Sequence, residues 1–379
     1  MPIPVYDYII AGAGCAGLSL AMRIVENENL KSKSILIVDR SPKNVNDRTW
    51  CFWERKAGFF EELVYHQWQQ LKFGDAKGDF VMDLMPFRYK LIKGIDFYNH
   101  CLATLRTAPN VTFLQEQVDS IFSDTETGIV AAGKKYTSHY VFNSIYRLPE
   151  LKKRQYLLLQ HFKGWYVKCE TTAFNPKVAT LMDFNVPQHN GTAFVYVLPT
   201  SEKEALIEFT VFSAEVLDDE AYDESLRNYI LGTLKICKYE VVEREFGVIP
   251  MTNVPFASAS KNIINIGTAG GNTKSSSGYT FQFIQKHSEA IIKKLENHKN
   301  PKVKPANSRF SFYDSVLIDV LHQRRLPGDL IFSNFFRKNK VQDVLQFLDN
   351  ESNIVQEMKI ITSLPVLPFL KAALHQSCR

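Results

Sequence analysis

The chain has 379 residues, enough for two or three lobes and a sizeable hydrophobic core. Apolar residues make up 45% of it and charged residues 22%, a balance that argues against a disordered or fibrous chain. The 45 Lys and Arg exceed the 40 Asp and Glu by a net charge of only +5, which does not indicate the concentrated basic face of a nucleic-acid-binding protein.

The start of the chain has the order strand, glycine-rich turn, helix, strand and acid. Val5 to Ala11 and Ser34 to Val38 are short apolar runs, typical of buried parallel strands. Between them, Gly12 to Gly17 reads GAGCAG, which matches GxGxxG, and Leu18 to Val25 has helical composition. Asp39 ends the second strand. This order is the βαβ fingerprint of dinucleotide-binding proteins.

Each residue of the fingerprint has a physical task. Gly12 permits the tight turn, Gly14 lets the backbone approach a pyrophosphate, and Gly17 allows close packing of helix on strand. The N-terminus of the helix then faces the phosphates with unpaired N–H groups and the positive end of its dipole, and Asp39 can accept hydrogen bonds from a ribose. Ala13, within the turn, is a further cofactor-binding candidate. A glycine-rich turn in an ordinary α/β protein is the alternative. The position of the fingerprint near the start of the chain favours FAD over NAD.

The next segments predict a mixture of short elements. Asp47 to Glu54 reads DRTWCFWE, and we interpret this cluster as a loop that lines a cofactor or substrate site, or else as a surface loop anchored by its aromatic residues. Residues 70–92 alternate polar and apolar, which predicts short strands. Phe97 to Leu105 predicts a helix, and Val111 to Leu114 and Tyr140 to Ile145 predict further strands.

The middle of the chain has the pattern of a separate sheet. Residues 156–215 predict antiparallel strands, because β-branched and aromatic runs are broken by turns such as Asn190-Gly191. Asp218 to Cys237 predicts a helix, and Glu243 to Ile249 predicts a strand that Pro250 ends.

A second glycine-rich turn follows the strand Ile263 to Gly267. Thr268 to Phe281 reads TAGGNTKSSSGYTF and suits contacts with the ribitol or pyrophosphate of a flavin. The alternative is a loop with ordinary helix capping by Ser276 or Ser277. Residues 297–307 predict a linker, and the apolar spacing beyond them is helical.

The sequence predicts neither a metal site nor a membrane-spanning helix. The single cysteines form no CxxC pair and no zinc-ligand spacing with histidine, which fits a reducing compartment. No secretory signal pattern opens the chain, and no apolar run approaches the roughly 18 residues of a transmembrane helix. Leu364 to Leu370 either dips into a membrane surface or packs on the protein. We expect a cytoplasmic protein that is soluble or attached peripherally to the cell membrane. The cysteines are Cys15, Cys51, Cys101, Cys169, Cys237 and Cys378.

These segments together resemble the bacterial lycopene β-cyclases. The resemblance rests on GAGCAG with Asp39, on the cluster from Asp47 to Glu54, on Phe246 to Thr252 (FGVIPMT), and on IGTAGG through SGYTF between Ile266 and Phe281. Phe347-Leu348-Asp349 fits as well. The resemblance covers nearly the whole chain, and IPMT and GTAGG…SGYTF are its most specific motifs.

The resemblance implies a fold related to the flavin hydroxylases. This fold is α/β, with a Rossmann-type FAD-binding lobe, an antiparallel-sheet substrate lobe and C-terminal helices. We accordingly assign residues 1–75, 93–150 and 240–300 to a discontinuous FAD-binding domain, 76–92 and 151–239 to a substrate-binding sheet domain, and 301–379 to a C-terminal helical region.

The resemblance also implies a reaction. The linear ψ-ends of lycopene are closed by acid catalysis into β-ionone rings, which gives γ-carotene and then β-carotene. The family requires reduced FAD although the reaction has no net redox change, with NADPH as an electron source, and it is membrane-associated because its substrate lives in lipid. Arg48 and the turn with Gly267, Gly270 and Gly271 are then expected to contact the part of FAD beyond its ADP half.

Ring closure requires an acid that stays protonated, an apolar site and aromatic faces that stabilise a carbocation. Glu208 lies in an apolar strand and shares a face with Leu206, Thr210 and Phe212. It also resembles the glutamate that is the proposed proton donor of the family. Many relatives have a second acid beside it, where this chain has Phe209, which leaves Glu208 as the sole local acid. The alternative is an edge-strand glutamate that faces solvent.

Further residues are candidates for the substrate site. Trp50 and Trp53 are expected to shield the cation, and Phe212 to line the cavity with them. Asp183 suits either the cavity wall or the cap of a turn. Glu245 precedes Phe246-Gly247 and is a lesser candidate for a place near the flavin.

Two other classes of protein stay open. A flavin-dependent prenyl reductase or hydroxylase of the same fold would consume NADPH in proportion to product. Hydroxylases usually carry Gly-Asp and Asp-Gly motifs, where this chain has Gly267-Thr268 and Asn143-Ser144. A carotenoid or lipid carrier would need no buried acid. His161 and His287 are expected to be structural.

Overall fold

The computed structural model describes residues 5–148, 150–256, 259–303 and 308–377. Residues 304–307 of the predicted linker and Cys378 lie outside the described residues. The strands are β1 (Val5–Ala11), β2 (Ile35–Val38), β3 (Thr49–Glu54), β4 (His66–Trp68), β5 (Gln70–Gly74), β6 (Phe80–Asp83), β7 (Arg88–Lys93), β8 (Val111–Leu114), β9 (Val118–Ser123), β10 (Thr127–Ala131), β11 (Lys134–Asn143), β12 (Leu157–Cys169), β13 (Val178–Asp183), β14 (Thr192–Pro199), β15 (Glu204–Ser213), β16 (Tyr239–Thr252), β17 (Ala259–Ser260) and β18 (Ile263–Asn265).

Most of the helices lie in the last quarter of the chain, after the last strand. They are α1 (Cys15–Val25), α2 (Gly94–Thr107), α3 (Asp219–Asn228), α4 (Phe281–Glu296), α5 (Ser308–His322), α6 (Gly328–Lys338), α7 (Val341–Leu348), α8 (Ile354–Ser363) and α9 (Val366–Ser377).

The first sheet has the strand order β17-β18-β11-β1-β2-β8, and β9 and β10 extend it from β11. Strands β18, β11, β1, β2 and β8 run parallel to one another. Ile10 and Ile37 pack in the same hydrophobic cluster as α1, α2 and α4, and Ile9 and Leu36 pack in the cluster that includes β9 and β10. Because both faces are covered, the central strands are apolar along their length. The predicted Rossmann-type lobe is confirmed.

The second sheet has the order β16-β12-β15-β14-β13-β5-β6. Every pair of adjacent strands in this sheet is antiparallel except β13 and β5, which are parallel. The predicted antiparallel sheet is therefore confirmed. Helix α3 packs on one face through Tyr222 and Leu226. The C-terminal helices pack on the other face, where Phe332, Phe335 and Phe336 share one core with the sheet.

Three sequence expectations differ from the structure. Thr49–Glu54 is a strand and not a loop, because it pairs with β7 along its whole length. The predicted helix over 218–238 ends at Asn228 and continues only as a π-helical turn, Tyr229–Thr233. Pro250 does not end its strand, since it pairs with Leu159 of β12. β16 is the edge strand of this sheet, where proline is tolerated because its missing N–H need not pair inward.

Sheet membership also differs from the predicted domain boundaries. β5 and β16 were assigned to the FAD-binding domain, but both hydrogen-bond into the second sheet. Their partners, β13 and β12, are distant in sequence, so a local pattern could not identify them. β3, β7 and β4 form a small third sheet, which places Thr49 and its neighbours close to β16.

Candidate active site

Neighbouring strands of the second sheet place Tyr196, Glu208, Gly164 and Glu245 in one row. Glu208 of β15 pairs with Tyr196 of β14 on one side and with Gly164 of β12 on the other. Gly164 pairs in turn with Glu245 of β16. Directly paired residues project from the same face of a sheet. The two glutamates therefore share a face, and the residue between them has no side chain.

The space above Gly164 is filled by the side chain of Glu245. A Cβ at Gly164 would lie 2.9 Å from Cγ and 3.2 Å from Oε1 of Glu245, and 3.0 Å from Cδ1 of Leu206. Real Cβ atoms rarely approach neighbours so closely. Glycine at this position therefore allows Glu245 to reach across β12 toward Glu208.

Hydroxyl groups orient the two carboxyl groups. Oγ1 of Thr210 donates to Oε1 of Glu208 at 2.9 Å, and Oγ1 of Thr49 donates to Oε2 of Glu245 at 2.7 Å. The two carboxyl groups also lie close enough for each to affect the pKa of the other. Burial, followed by the charge of Glu245, raises the pKa of Glu208 well above its usual range. Burial also raises the pKa of Glu245, although the bond from Thr49 opposes the shift.

Glu208 lines a cavity of about 250 Å³ between the two lobes. Aromatic side chains supply much of its wall. Burial raises the pKa of three of them, Tyr89, Tyr196 and Tyr279, which keeps these tyrosines neutral. The cavity thus combines an acid whose pKa is raised with aromatic faces that can stabilise a cation. The aromatic lining residues are Trp50, Tyr89, Phe162, Tyr196, Phe246, Tyr279 and Phe281.

The first glycine-rich turn has an open space where a phosphate would lie. A side chain at Gly12, which has φ +101°, would overlap Ser144, and one at Gly17 would overlap the carbonyl oxygen of Gly12. At Gly14, in contrast, a Cβ would meet nothing within 4 Å. The N–H of Ala13 donates to Oδ2 of Asp39 at 2.7 Å, which fixes the loop against the end of β2.

The second glycine-rich turn packs against the first. Gly267 has φ +60°, and a Cβ there would lie 2.9 Å from Cβ of Ala16 at the start of α1. Gly270 leaves room for the carbonyl oxygen of Asn265, and Gly271 has φ +75°. The structure therefore places the turn that contains Gly267, Gly270 and Gly271 beside the start of α1, and its role in cofactor binding stays a prediction.

Two polar atoms between the second glycine-rich turn and the second sheet are free to hydrogen-bond to a bound molecule. Oγ of Ser277 and Oε1 of Gln160 are buried and have no hydrogen-bond partner within the described ranges. Both residues line the cavity. Together with the open space at Gly14, they suit an elongated cofactor that has phosphates at one end and a polar ring at the other.

Arg48 and Trp50 line the cavity. The guanidinium of Arg48 donates to Asp47 at 3.0 Å, and Asp47 accepts a second bond from Tyr98 at 2.9 Å. The Trp50 ring packs 5.1 Å from the ring of Phe97. These residues precede or begin β3, so the third sheet carries them to the junction of the lobes.

Trp53 and Phe212 lie behind the cavity wall. The ring of Trp53 contacts Tyr279 edge-on, with the ring centroids 4.5 Å apart. Phe212 is buried between Phe194, at 5.3 Å, and Phe332, at 6.1 Å. Trp53 therefore supports a lining residue, whereas Phe212 packs against two residues outside the cavity lining. Direct contact of either residue with a substrate stays a prediction.

Asp183 lies at the end of β13, outside the residues that line the cavity. Its side chain accepts bonds from the backbone N–H of Asn185 at 3.0 Å and from the hydroxyl of Tyr229 at 2.6 Å. These partners favour the interpretation of Asp183 as the cap of a turn over its predicted place in a substrate site.

Sequence reasoning missed the position of Glu245. Phe209 stands where many relatives have an acid, and Glu208 was therefore expected to be the sole local acid. A second carboxyl group instead arrives from β16, and only the shared pairing of β15 and β16 with β12 reveals it. The aromatic partners Tyr89, Tyr196 and Tyr279 were also missed, because they come from separate strands and a loop.

Of the two histidines that were expected to be structural, His161 is buried and His287 is half-buried. His161 bonds to Ser213 at 2.7 Å and to the hydroxyl of Tyr222. Burial lowers the pKa of His287 to about 4, which keeps it neutral. Within the described part of the chain, no group of His, Cys, Asp and Glu side chains is arranged to hold a metal ion.

Solved structures define the fold class. A flavoprotein/dehydrogenase from Cytophaga hutchinsonii superposes with a TM-score of 0.63 at 10% identity, covering 99% of this chain and 100% of that one. A geranylgeranyl bacteriochlorophyll reductase-like protein from Thermoplasma acidophilum has a TM-score of 0.60 at 11% identity, covering 97% and 95%. A probable FAD-dependent monooxygenase from Pseudomonas aeruginosa has a TM-score of 0.55 at 12% identity, covering 85% and 98%. The chain has the mixed α/β fold of these flavoproteins.

Sequence comparison places the chain within that class. The family model for lycopene cyclase proteins matches residues 7–374, so the chain belongs to the lycopene cyclase family. The lycopene β-cyclase of Pantoea ananas is 27% identical over 242 residues, which cover 60% of this chain and 57% of that protein. The family resemblance inferred from the motifs is confirmed.

Gly164→Ala is expected to destabilise the protein by about 1–3 kcal/mol, because the added methyl group forces Glu245 and Leu206 out of their positions. Urea unfolding of the variant measures this loss. Gly232→Ala is the matched control, since a Cβ at Gly232 would meet nothing within 4 Å. Equal stability of the two variants would contradict the packing of Glu245 over Gly164.

Proposed function

We propose that the protein is a lycopene β-cyclase, which converts lycopene to γ-carotene and then to β-carotene without net oxidation or reduction. The observation that carries the proposal is Glu208, a carboxyl group with a strongly raised pKa on the wall of an aromatic cavity. Membership of the lycopene cyclase family supports the choice of substrate. A carotenoid or lipid carrier would have no use for such an acid.

The chemistry assigns a task to each part of the cavity. Glu208 donates a proton to the terminal C=C bond of a ψ-end, which produces a tertiary carbocation. A second C=C bond attacks this cation and closes the ring, and loss of a ring proton then leaves the β-ionone double bond. The faces of Trp50, Tyr196 and Tyr279 stabilise the positive charge, and this aromatic wall shields it from water.

The two glycine-rich turns fit FAD, and we propose that the reduced form is the active one, with NADPH as a source of electrons. Reduced FAD would supply negative charge beside the developing cation. Its ADP half would bind at Gly12, Ala13, Gly14, Gly17 and Asp39, and the remainder would contact Arg48, Gly267, Gly270 and Gly271.

Glu208→Gln is expected to lower cyclisation by about 10²- to 10⁴-fold, because the amide cannot donate the proton. Pigment analysis of lycopene-accumulating cells that express the variant measures the effect. Flavin content should stay at the wild-type level. Glu204→Gln, on the same strand but away from the cavity, is the matched control and should retain activity.

Two results would contradict this part of the proposal. Cyclisation that survives Glu208→Gln would move the proton donor to another acid. Unchanged lycopene in cells with well-expressed, flavin-loaded wild-type protein would overturn the cyclase itself. NADPH consumption in proportion to product would then favour a flavin-dependent reductase of the same fold.

Gly14→Val is expected to abolish flavin binding while leaving the protein folded. Gly14 has an extended backbone, with φ −84°, and faces open space, so the valine side chain enters the proposed phosphate site without a clash. Flavin absorbance per protein and thermal unfolding of the purified variant test this directly. A flavin-loaded Gly14→Val variant would exclude this loop as the phosphate site.

We also propose that the protein attaches to the cytoplasmic surface of the membrane through α8 and α9. No helix within the described residues has the length and hydropathy needed to cross a bilayer. The two helices nevertheless expose large apolar side chains beside Lys359 and Lys371, which suits an anionic lipid surface. The exposed fractions are 65% for Ile354, 79% for Val355, 64% for Val366, 70% for Leu367 and 61% for Leu374.

Replacing Val355, Leu367 and Leu374 together by serine is expected to weaken binding to vesicles that contain phosphatidylglycerol. Co-sedimentation with the vesicles measures the bound fraction. Leu231→Ser is the control, because Leu231 is 46% exposed but lies outside these helices. Equal binding by the triple variant and the control would exclude this surface.

A further inference from the structure

We propose that Glu245 is a positioning residue that shares a single proton with Glu208, so that the two carboxyl groups act as one acid–base pair during ring closure. The inference rests on the proposed cyclase reaction and deepens it. It gives a role to a second carboxyl group, which this chain supplies from β16 in place of the acid that relatives carry beside the donor.

A proton held between the two groups accounts for their arrangement. Gly164 leaves the space in which the side chain of Glu245 extends across β12 toward Glu208. Oε2 of Glu245 is held by Thr49 at 2.7 Å, while Oε1 is buried and receives no hydrogen bond from a hydroxyl or N–H group of the described residues. Ionised carboxylates only accept hydrogen bonds, so two such oxygens approach each other only when one of them is protonated.

The surroundings favour the proton on Glu208. Thr49 and the nearby charge of Arg48 stabilise a carboxylate at position 245, and Glu243 opposes them only in part. Among the described residues, the groups that shift the pKa of Glu208 are Glu245 and Thr210, and neither of them is a cation. The ionisable groups that line the two cavities beside the pair are Asp47, Arg48, Cys51, Tyr89, Lys93, Tyr166, Tyr196, Glu243, Arg244 and Tyr279.

The pair balances the reaction without another reagent. The O–H bond of Glu208 breaks and a C–H bond forms at the terminal alkene, which leaves two adjacent carboxylates and a carbocation. After the ring C–C bond has formed, the ring loses a proton to this doubly charged pair. The C–H electron pair becomes the ring C=C bond, and the O–H bond of Glu208 is restored. Repulsion between the two carboxylates drives the return of the proton.

The test is the pH dependence of kcat in the flavin-loaded Glu245→Gln variant. Glutamine keeps the shape of the side chain but removes its charge and donates a hydrogen bond to Glu208. Both changes favour ionisation of Glu208, so activity should disappear at a lower pH than in the wild type. We expect the alkaline limb to move down by about 1–2 pH units, with KM unchanged and activity recovered at acidic pH.

Conservative and control variants separate this role from a structural one. Glu245→Asp keeps a carboxylate and should restore part of the wild-type alkaline limb. Glu240→Gln removes an exposed carboxylate from the same strand and should leave the profile unchanged. A Glu245→Gln profile that superimposes on the wild type, or that falls equally at every pH, would overturn the inference.

A measurement that does not need turnover distinguishes failure of the pair from failure of the proposed function. In protein labelled with ¹³C at glutamate carboxyl groups, the NMR signal absent from Glu208→Gln identifies Glu208. We expect it to titrate above the ordinary range in the wild type and at lower pH in Glu245→Gln. Titration of Glu208 at the same pH in both proteins would overturn the pair, even if the wild type cyclises lycopene.

Discussion

Two neighbouring carboxyl groups that are shielded from water cannot both ionise without a large cost in free energy. The pairing of Gly164 with Glu208 on one side and Glu245 on the other places two such groups on one face of the second sheet. The backbone register fixes the row, and the missing side chain of Gly164 lets the side chain of Glu245 extend toward Glu208. The rest of the site is consistent with one proton that is retained by the two carboxyl groups. Thr49 and Thr210 orient the carboxyl groups, and the surrounding tyrosines stay neutral because they are buried as well.

The junction of the lobes depends on a short stretch of chain. Arg48, Thr49 and Trp50 are consecutive. Arg48 faces the cavity, Thr49 bonds to Glu245, and Trp50 forms part of the aromatic wall. They reach these places because β3 runs between the Rossmann-type lobe and the second sheet. The second glycine-rich turn reaches the same place from the other side, where Gly267 packs on Ala16 of α1. A cofactor held by both glycine-rich turns would therefore lie close to the acid.

Local patterns predicted much of the molecule. The βαβ unit, the antiparallel sheet over residues 156–215 and the helical end of the chain were all recognisable, because periodicity and glycine spacing are properties of contiguous residues. Prediction from local patterns failed where the pairing of strands that are distant in sequence decides which sheet a segment joins. The strand from Thr49 to Glu54 was interpreted as a loop, and β5 and β16 were assigned to the wrong side of the lobe boundary.

The sequence by itself determined the family, the glycine-rich turns and the unusual position of Glu208 within an apolar strand. These features depend on residue types at fixed spacing, and a single chain displays them directly. Only the tertiary structure decided that Asp183 is bonded to Tyr229 and Asn185, and that Glu245 is the neighbour of Glu208. Burial and contact between charged groups depend on which strands lie side by side, and that arrangement follows from the packing of the whole fold.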